Sequence, residues 1–236
     1  MRRATAELIV KDPNKFAHHD RVFLNNPVVM QGMGLAPLVV LATSGQNAGM
    51  LAAAVALLLV PSRVLACLLS RLVPLRDEEP SPAQLQKKLL PRAILYAASA
   101  AVVYLAAYPI LNLVFGTGLL NLGIYLPMLV VEPAVIKRME SNDLETVGEA
   151  FRRGINNTIG ICFSVLLVGV VRELLAEGTV FGNVVFPVAP LPLADQPGTG
   201  FIIIGLIAAV WTAIGGAYVH YKIEEVRHLY GNKRKR

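Results

Sequence analysis

Ile94-Leu95-Tyr96-Ala97-Ala98-Ser99-Ala100-Ala101-Val102-Val103-Tyr104-Leu105-Ala106-Ala107-Tyr108-Pro109-Ile110-Leu111-Asn112-Leu113-Val114-Phe115 contains no charged residue. A helix rises about 1.5 Å per residue, so roughly 20 apolar residues cross a hydrocarbon layer about 30 Å thick. The stretch is long enough to span a bilayer. Five further apolar runs accompany it: Pro27–Thr43, Gly49–Leu69, Leu119–Ile136, Gly154–Val171 and Phe201–Val219. The first, fourth and fifth runs of the chain are short for a crossing, and the second holds Pro61 and Arg63. Ser44-Gly45, Gly116-Thr117-Gly118 and Pro197-Gly198 mark joints between runs. Ser81-Pro82 reads as a helix cap and first helical residue leading into the third run.

Composition agrees. The 236 residues are 55% apolar and 16% charged, with mean hydropathy +0.56. Soluble domains carry about a quarter charged residues, and a disordered chain lacks this much apolar surface. Cys67 and Cys162 are too few for a disulfide framework or a zinc ribbon. No Gly-rich phosphate loop, nucleophile elbow or zinc signature is present, and His18, His19, His220 and His228 lie in the tails without metal-binding spacing. No polar stretch between the runs is long enough to build the core of a catalytic domain. Residues 1–21 stay mixed and charged, unlike a cleavable signal. The expected class is an all-α integral membrane protein.

The net charge of +6 is distributed by side. The N-terminal tail, Arg71–Arg92, Lys137–Arg153 and the C-terminal tail carry five, five, four and six Lys/Arg. Six crossings put these four segments on one side, leaving Arg172 on the other and Arg63 within a span. Cytoplasmic loops collect Lys and Arg, so both termini of this multi-pass membrane protein are expected in the cytoplasm. The tail Asn232-Lys233-Arg234-Lys235-Arg236 then serves topology and lipid headgroups rather than nucleic acid.

The first and fourth runs share a short span with an interior proline: Gly32-Met33-Gly34-Leu35-Ala36-Pro37-Leu38-Val39-Val40 lies against Met128-Leu129-Val130-Val131-Glu132-Pro133-Ala134-Val135-Ile136. Three spans per repeat is an odd number, so the halves would insert with opposite orientation. The expected architecture is six transmembrane helices in a 3+3 inverted repeat with short, interrupted first and fourth helices. It makes residues 1–236 a single polytopic domain with halves about 22–115 and 116–221, a tail over 1–21 and a basic tail over 222–236. Interrupted segments at matching places in two halves point to a functional site near the midplane.

Several stretches carry a resemblance. Asn25-Asn26, Gln31 and Gly34-Leu35-Ala36-Pro37-Leu38 are followed in register by Leu126-Pro127-Met128-Leu129-Val130-Val131, Arg138 with Glu140, Val171-Arg172-Glu173-Leu174-Leu175, Gly178-Thr179-Val180-Phe181 and Pro197-Gly198 through Phe201-Ile202. Together they resemble the small integral membrane subunits of Rnf and Na⁺-translocating NADH:quinone oxidoreductase complexes, and the cytoplasmic N-terminus favours the RnfE/NqrD type. The resemblance implies a subunit of an ion-translocating electron-transport complex. Its partners would be other Rnf/Nqr-like subunits, especially an oppositely oriented RnfA/NqrE-type paralogue. It also implies one iron–sulfur cluster held between two such subunits, by thiolates from the first and fourth helices of each.

At both implied ligand positions this chain departs, with Ala36 in the first helix and Pro133 in the fourth. Neither side chain has a donor atom. No cofactor is therefore expected on this chain, and the cluster and flavins are expected in partner subunits, making it a non-catalytic or accessory subunit. Cys67 and Cys162 follow these positions by similar distances and read either as relocated ligands or as small apolar groups packed between helices. Glu132 is an ion-path candidate, because an intramembrane carboxylate is costly. It could alternatively reach water at the cytoplasmic end. Arg63 is its candidate partner, or else snorkels to the inner surface with Arg71. Asn156, Asn157 and Thr158 read as polar contacts between helices or as the lining of a cavity, and Trp211, Tyr218 and Tyr221 as packing or an interfacial belt at the inner end. Arg172 and Glu173 read as an outer-surface pair. The alternative function is a stand-alone inverted-repeat ion or proton transporter or channel derived from the same fold.

Overall fold

The computed structural model describes residues 20, 22–71, 82–123, 125–128, 130–131 and 146–231. Glu132, Pro133, Arg138, Glu140, Ser81 and both extreme tails lie outside the described residues. Among the described residues, four helices are long and apolar enough to cross a membrane: Gly45–Ser70, Ile94–Phe115, Val147–Ala176 and Pro197–His228. The protein is an α-helical, multi-pass membrane protein.

The first expected span is not one helix. Residues 22–25, 27–31 and 33–34 form turns, and only Leu35–Leu41 (α1) is helical. The break has a local cause: Gly32 and Gly34 both adopt φ +69°, a conformation that glycine enters without a Cβ clash. Pro37 is tolerated because it sits in the first turn, where its missing N–H has no intrahelical partner to lose. The chain then turns through Ala42–Ser44 into α2 (Gly45–Ser70), whose cap Ser44 accepts from Asn47 N at 3.2 Å. Pro61 lies within this helix without ending it. α3 (Pro82–Phe115) begins on its proline, as expected, and also contains Pro91 and Pro109.

The fourth expected span is also fragmented where it is described. α4 (Gly118–Leu122) stops at Gly123, which has φ +45°, and residues 125–128 form another helical piece. α5 (Val147–Ala176) opens with a reciprocal capping box between Thr146 and Glu149. After it come a two-stranded antiparallel hairpin, β1 (Thr179–Val180) with β2 (Asn183–Val184), a 3-10 turn at Pro192–Asp195, and α6 (Pro197–Gly231).

α2 and α5 form the centre. Leu51, Val55 and Leu58 of α2 and Ile161, Val165 and Val168 of α5 belong to one buried cluster. In lipid the hydrophobic effect does not favour one helix neighbour over another, so close packing through small residues must hold the pair. Gly169 supplies it: a Cβ there would overlap Ala48 Cβ and fall 2.9 Å from Ser44 O. α1 packs on α6, and α4 packs on α3. α3 and α6 are peripheral and turn large apolar side chains outward, among them Leu105, Leu113, Ile202 and Leu206.

Candidate functional site

The break between α1 and α2 brings two helix ends within a few residues of each other. The carboxyl end of α1 leaves carbonyls without intrahelical partners, and the amino end of α2 leaves N–H groups. In apolar surroundings both need partners. One dipeptide near the end of α5 supplies them.

Arg172 is fully buried and donates to four backbone carbonyls. Nη1 reaches Val39 O at 2.5 Å and Ala42 O at 3.1 Å, both at the end of α1. Nε reaches Ala194 O at 3.0 Å and Nη2 reaches Asp195 O at 2.8 Å, both just before α6. The planar, forked guanidinium suits this arrangement, whereas a lysine would offer only a point charge. Gly200 leaves the room: a Cβ there would lie 3.2 Å from Arg172 Cζ.

Glu173 serves the opposite helix end. Its Oε2 accepts from Gly45 N, the first residue of α2, at 2.6 Å. Its Oε1 accepts from Gly182 N at 2.7 Å and from the Thr179 hydroxyl at 2.9 Å, which fixes the hairpin. A cation thus sits at the negative end of one helix dipole and an anion at the positive end of the next. The expectation that Arg172 and Glu173 make an outer-surface pair is therefore wrong. They are buried, and each bonds to helix ends because the α1–α2 break creates more unsatisfied groups than the two side chains could satisfy by facing each other.

A second polar hub holds the other end of the broken segment. Asn26 is fully buried; its Nδ2 donates to Gly160 O of α5 and to Val22 O, each at 2.9 Å. Its Oδ1 accepts from Val28 N at 2.9 Å, Val29 N at 3.2 Å and Ser164 Oγ at 2.8 Å. Close by in sequence, Gln31 Nε2 donates to Asn25 Oδ1 at 2.6 Å. Asn26 and Arg172 thus pin the two ends of the broken segment to α5.

Between these hubs lies Ala36, half-buried on α1. Cys67 is buried on α2, and Cys162 on α5 donates its thiol to Ala52 O of α2 at 3.3 Å. Both thiols therefore belong to the α2 and α5 helices rather than to α1. Arg63 is buried on α2 rather than surfacing as Arg71 does, and a Cβ at Gly154 of α5 would lie 3.6 Å from its Cδ. Asn157 and Thr158 are buried, whereas Asn156 is exposed. Trp211 is a packing residue: its Nε1 donates to Phe23 O at 2.7 Å, and its ring centroid lies 5.3 Å from Phe23 and 5.6 Å from Phe163.

The motif stretches quoted from the sequence, Asn25-Asn26 and Arg172-Glu173, are thus the residues that hold the break. Comparison with known proteins agrees: the family model described as Rnf-Nqr subunit, membrane protein, matches residues 16–216. The chain belongs to this family. Among its relatives is the E subunit of the ion-translocating oxidoreductase complex of Shewanella oneidensis, 28% identical over 207 residues, covering 80% of this chain and 83% of the relative. The protein of the same name from Haemophilus influenzae strain PittEE is 25% identical over 168 residues, covering 69% of this chain and 64% of its own length. The matched region of this Rnf-Nqr chain contains Asn26, the α1–α2 break, Arg172 and Glu173.

Proposed function

We propose that this chain is a membrane subunit of an ion-translocating oxidoreductase complex of the Rnf/Nqr kind, set in the bacterial inner membrane with both termini in the cytoplasm. One observation carries the reading: the family match runs along residues 16–216, and the relatives are named as the E subunit of such a complex. The pairing of α1 with α6, of α4 with α3 and of α2 with α5 supports a 3+3 inverted repeat, although α2 packs on α3 far more extensively than α5 packs on α6. The one-sided distribution of Lys and Arg supports six crossings and the orientation.

The residues of this chain do not fit an intramembrane iron–sulfur cluster held in the manner the family resemblance implies. Ala36 offers no donor at the first-helix position, and proline at 133 offers none by its chemistry. The Cys162 thiol is bonded to a backbone carbonyl of α2. The chain is assigned helices, assembly contacts and part of an ion path, with cluster and flavins on partner subunits, including an oppositely oriented RnfA/NqrE-type paralogue. Glu132 is the ion-path carboxylate and Arg63 its candidate partner.

Affinity purification of the chain from its own membranes in mild detergent tests this. Flavin- and iron–sulfur-bearing polypeptides should co-purify. A chain that arrives alone and moves ions in liposomes without any electron donor would be a stand-alone transporter instead.

A further inference from the structure

The segment joining α5 to α6 has no part in the proposed function, and its chemistry is unusual for a connection. From Gly178 to Ala194 there is no Asp, Glu, Lys, Arg or His, while Glu177 and Asp195 stand at its two ends. Its large side chains point outward: Phe181, Val184, Val185, Phe186, Val188 and Leu193 are between 46% and 76% exposed. Isolated apolar residues on a surface mean little, but a contiguous uncharged group of them marks a contact with something apolar.

The backbone of the segment is adapted in the same direction. Pro187, Pro190 and Pro192 have no N–H to satisfy. Val185 N and Phe186 N both donate to Gly178 O at 2.9 Å, Leu191 N to Leu175 O at 2.7 Å, and Ala194 N to Leu191 O at 2.9 Å. Gly182 N donates to Glu173. A loop in water gains little from closing off its donors, because water serves them. A segment that enters a layer poor in water gains from each donor so closed.

The segment is also held firmly in place. Glu173 fastens its front through Thr179 and Gly182, and Arg172 fastens its rear through the Ala194 and Asp195 carbonyls. Gly178, with φ +72°, lets the two limbs touch: a Cβ there would stand 2.7 Å from Phe186 O. The outward face then continues into the first turns of α6, where Phe201 and Ile202 are exposed.

We propose that residues 178–194 form an apolar foot that seats in the interfacial layer of the bilayer, at the end of the bundle where α5 stops and α6 starts. Its outward side chains enter among the upper acyl carbons, about 5–10 Å below the headgroup boundary, as the apolar face of an interfacial segment does. The occupant is lipid rather than protein because the foot continues the outward apolar face of α6, the peripheral helix whose large side chains point away from the bundle, with Glu177 and Asp195 only at its two ends. This inference does not depend on which complex the chain joins.

The test uses the full-length chain in phosphatidylcholine–phosphatidylglycerol vesicles. Cys67→Ala and Cys162→Ser remove the native thiols, and Val188→Cys carries a small environment-sensitive fluorophore. Bromines placed high on the acyl chain should remove about half or more of the emission and quench more than bromines near the chain end, as expected for an interfacial depth. Aqueous iodide should quench weakly. Strong iodide quenching without bromine quenching overturns the proposal. If the Val188→Cys chain fails to reconstitute, Asn183→Cys at the hairpin turn gives the same readout. A photocrosslinker at either site in native membranes should label lipid. Labelling of a neighbouring polypeptide instead of lipid would make the foot a subunit contact and refute the lipid assignment.

Discussion

Replacing Arg172 with methionine keeps most of the side-chain volume and removes all four hydrogen bonds. Asp195 O belongs to an exposed residue, where water can replace the guanidinium. Val39 O, Ala42 O and Ala194 O are different, because all three residues are fully buried. Stranding a buried acceptor costs about 1–3 kcal/mol, so these three carbonyls alone cost about 3–9 kcal/mol. The seven-residue α1 cannot absorb that loss by itself, since isolated helices this short are unstable. Against a total stability of about 5–15 kcal/mol, the variant should be severely weakened. At about 2–4 °C per kcal/mol for a chain of this size, the unfolding midpoint in detergent should fall by roughly 10 °C or more. Arg172→Lys keeps the charge but cannot reach four acceptors at once, so its midpoint should lie between the two. Circular dichroism against temperature, read beside monodispersity in detergent, measures all three proteins. A methionine variant that unfolds at the wild-type midpoint would show that the guanidinium does not hold the break.

Gly169→Leu should separate α2 from α5 and cost about 1–3 kcal/mol by overpacking, whereas Gly49→Ala, with nothing within 4 Å of its new Cβ, should unfold like wild type; the same thermal assay decides. Asn26→Leu strands the Val28 and Val29 N–H groups and should cost about 2–4 kcal/mol, while Asn26→Asp, which keeps the acceptor, should cost less; equal losses in the two variants would deny the Asn26 oxygen its role. Glu132→Gln preserves volume and hydrogen bonding but removes the charge, so ion movement by the assembled complex should stop while the folded chain remains in the membrane. Unchanged ion movement would leave Glu132 without a transport role.

The membrane class was legible because apolar run length and Lys/Arg placement are one-dimensional signals. That the first run is short and interrupted was legible, but the place was not: the interior Pro37 pointed to the interruption, whereas Gly32 and Gly34 carry it and Pro37 sits inside α1; Pro133, which pointed to the interruption of the fourth run, lies outside the described residues. What the sequence does not display is which distant polar group meets which helix end. Arg172 and Glu173 are neighbours in the chain with opposite charge, and a mutual pair is the simplest reading of such a dipeptide. Their actual partners, Val39 and Ala42 for one and Gly45 for the other, lie some 130 residues away. The missed signal was physical: a broken helix inside a membrane must find a cation for one end and an anion for the other. Asn26 was recognised as part of a motif, but its contact with Gly160 depends on the packing of α5, which no local pattern encodes. The foot between α5 and α6 escaped notice because an uncharged stretch with three prolines reads as a loop until its exposure is known.

Inverted membrane vesicles offer the most direct measurement of the functional account. They are prepared from cells containing the chain, from cells lacking it and from cells in which it has been restored. Reductant is added, and electron transfer and the movement of sodium and protons are recorded together. The account predicts that reductant-driven ion movement is lost without the chain and returns when it is restored. Ion movement of equal size in vesicles lacking the chain would contradict it.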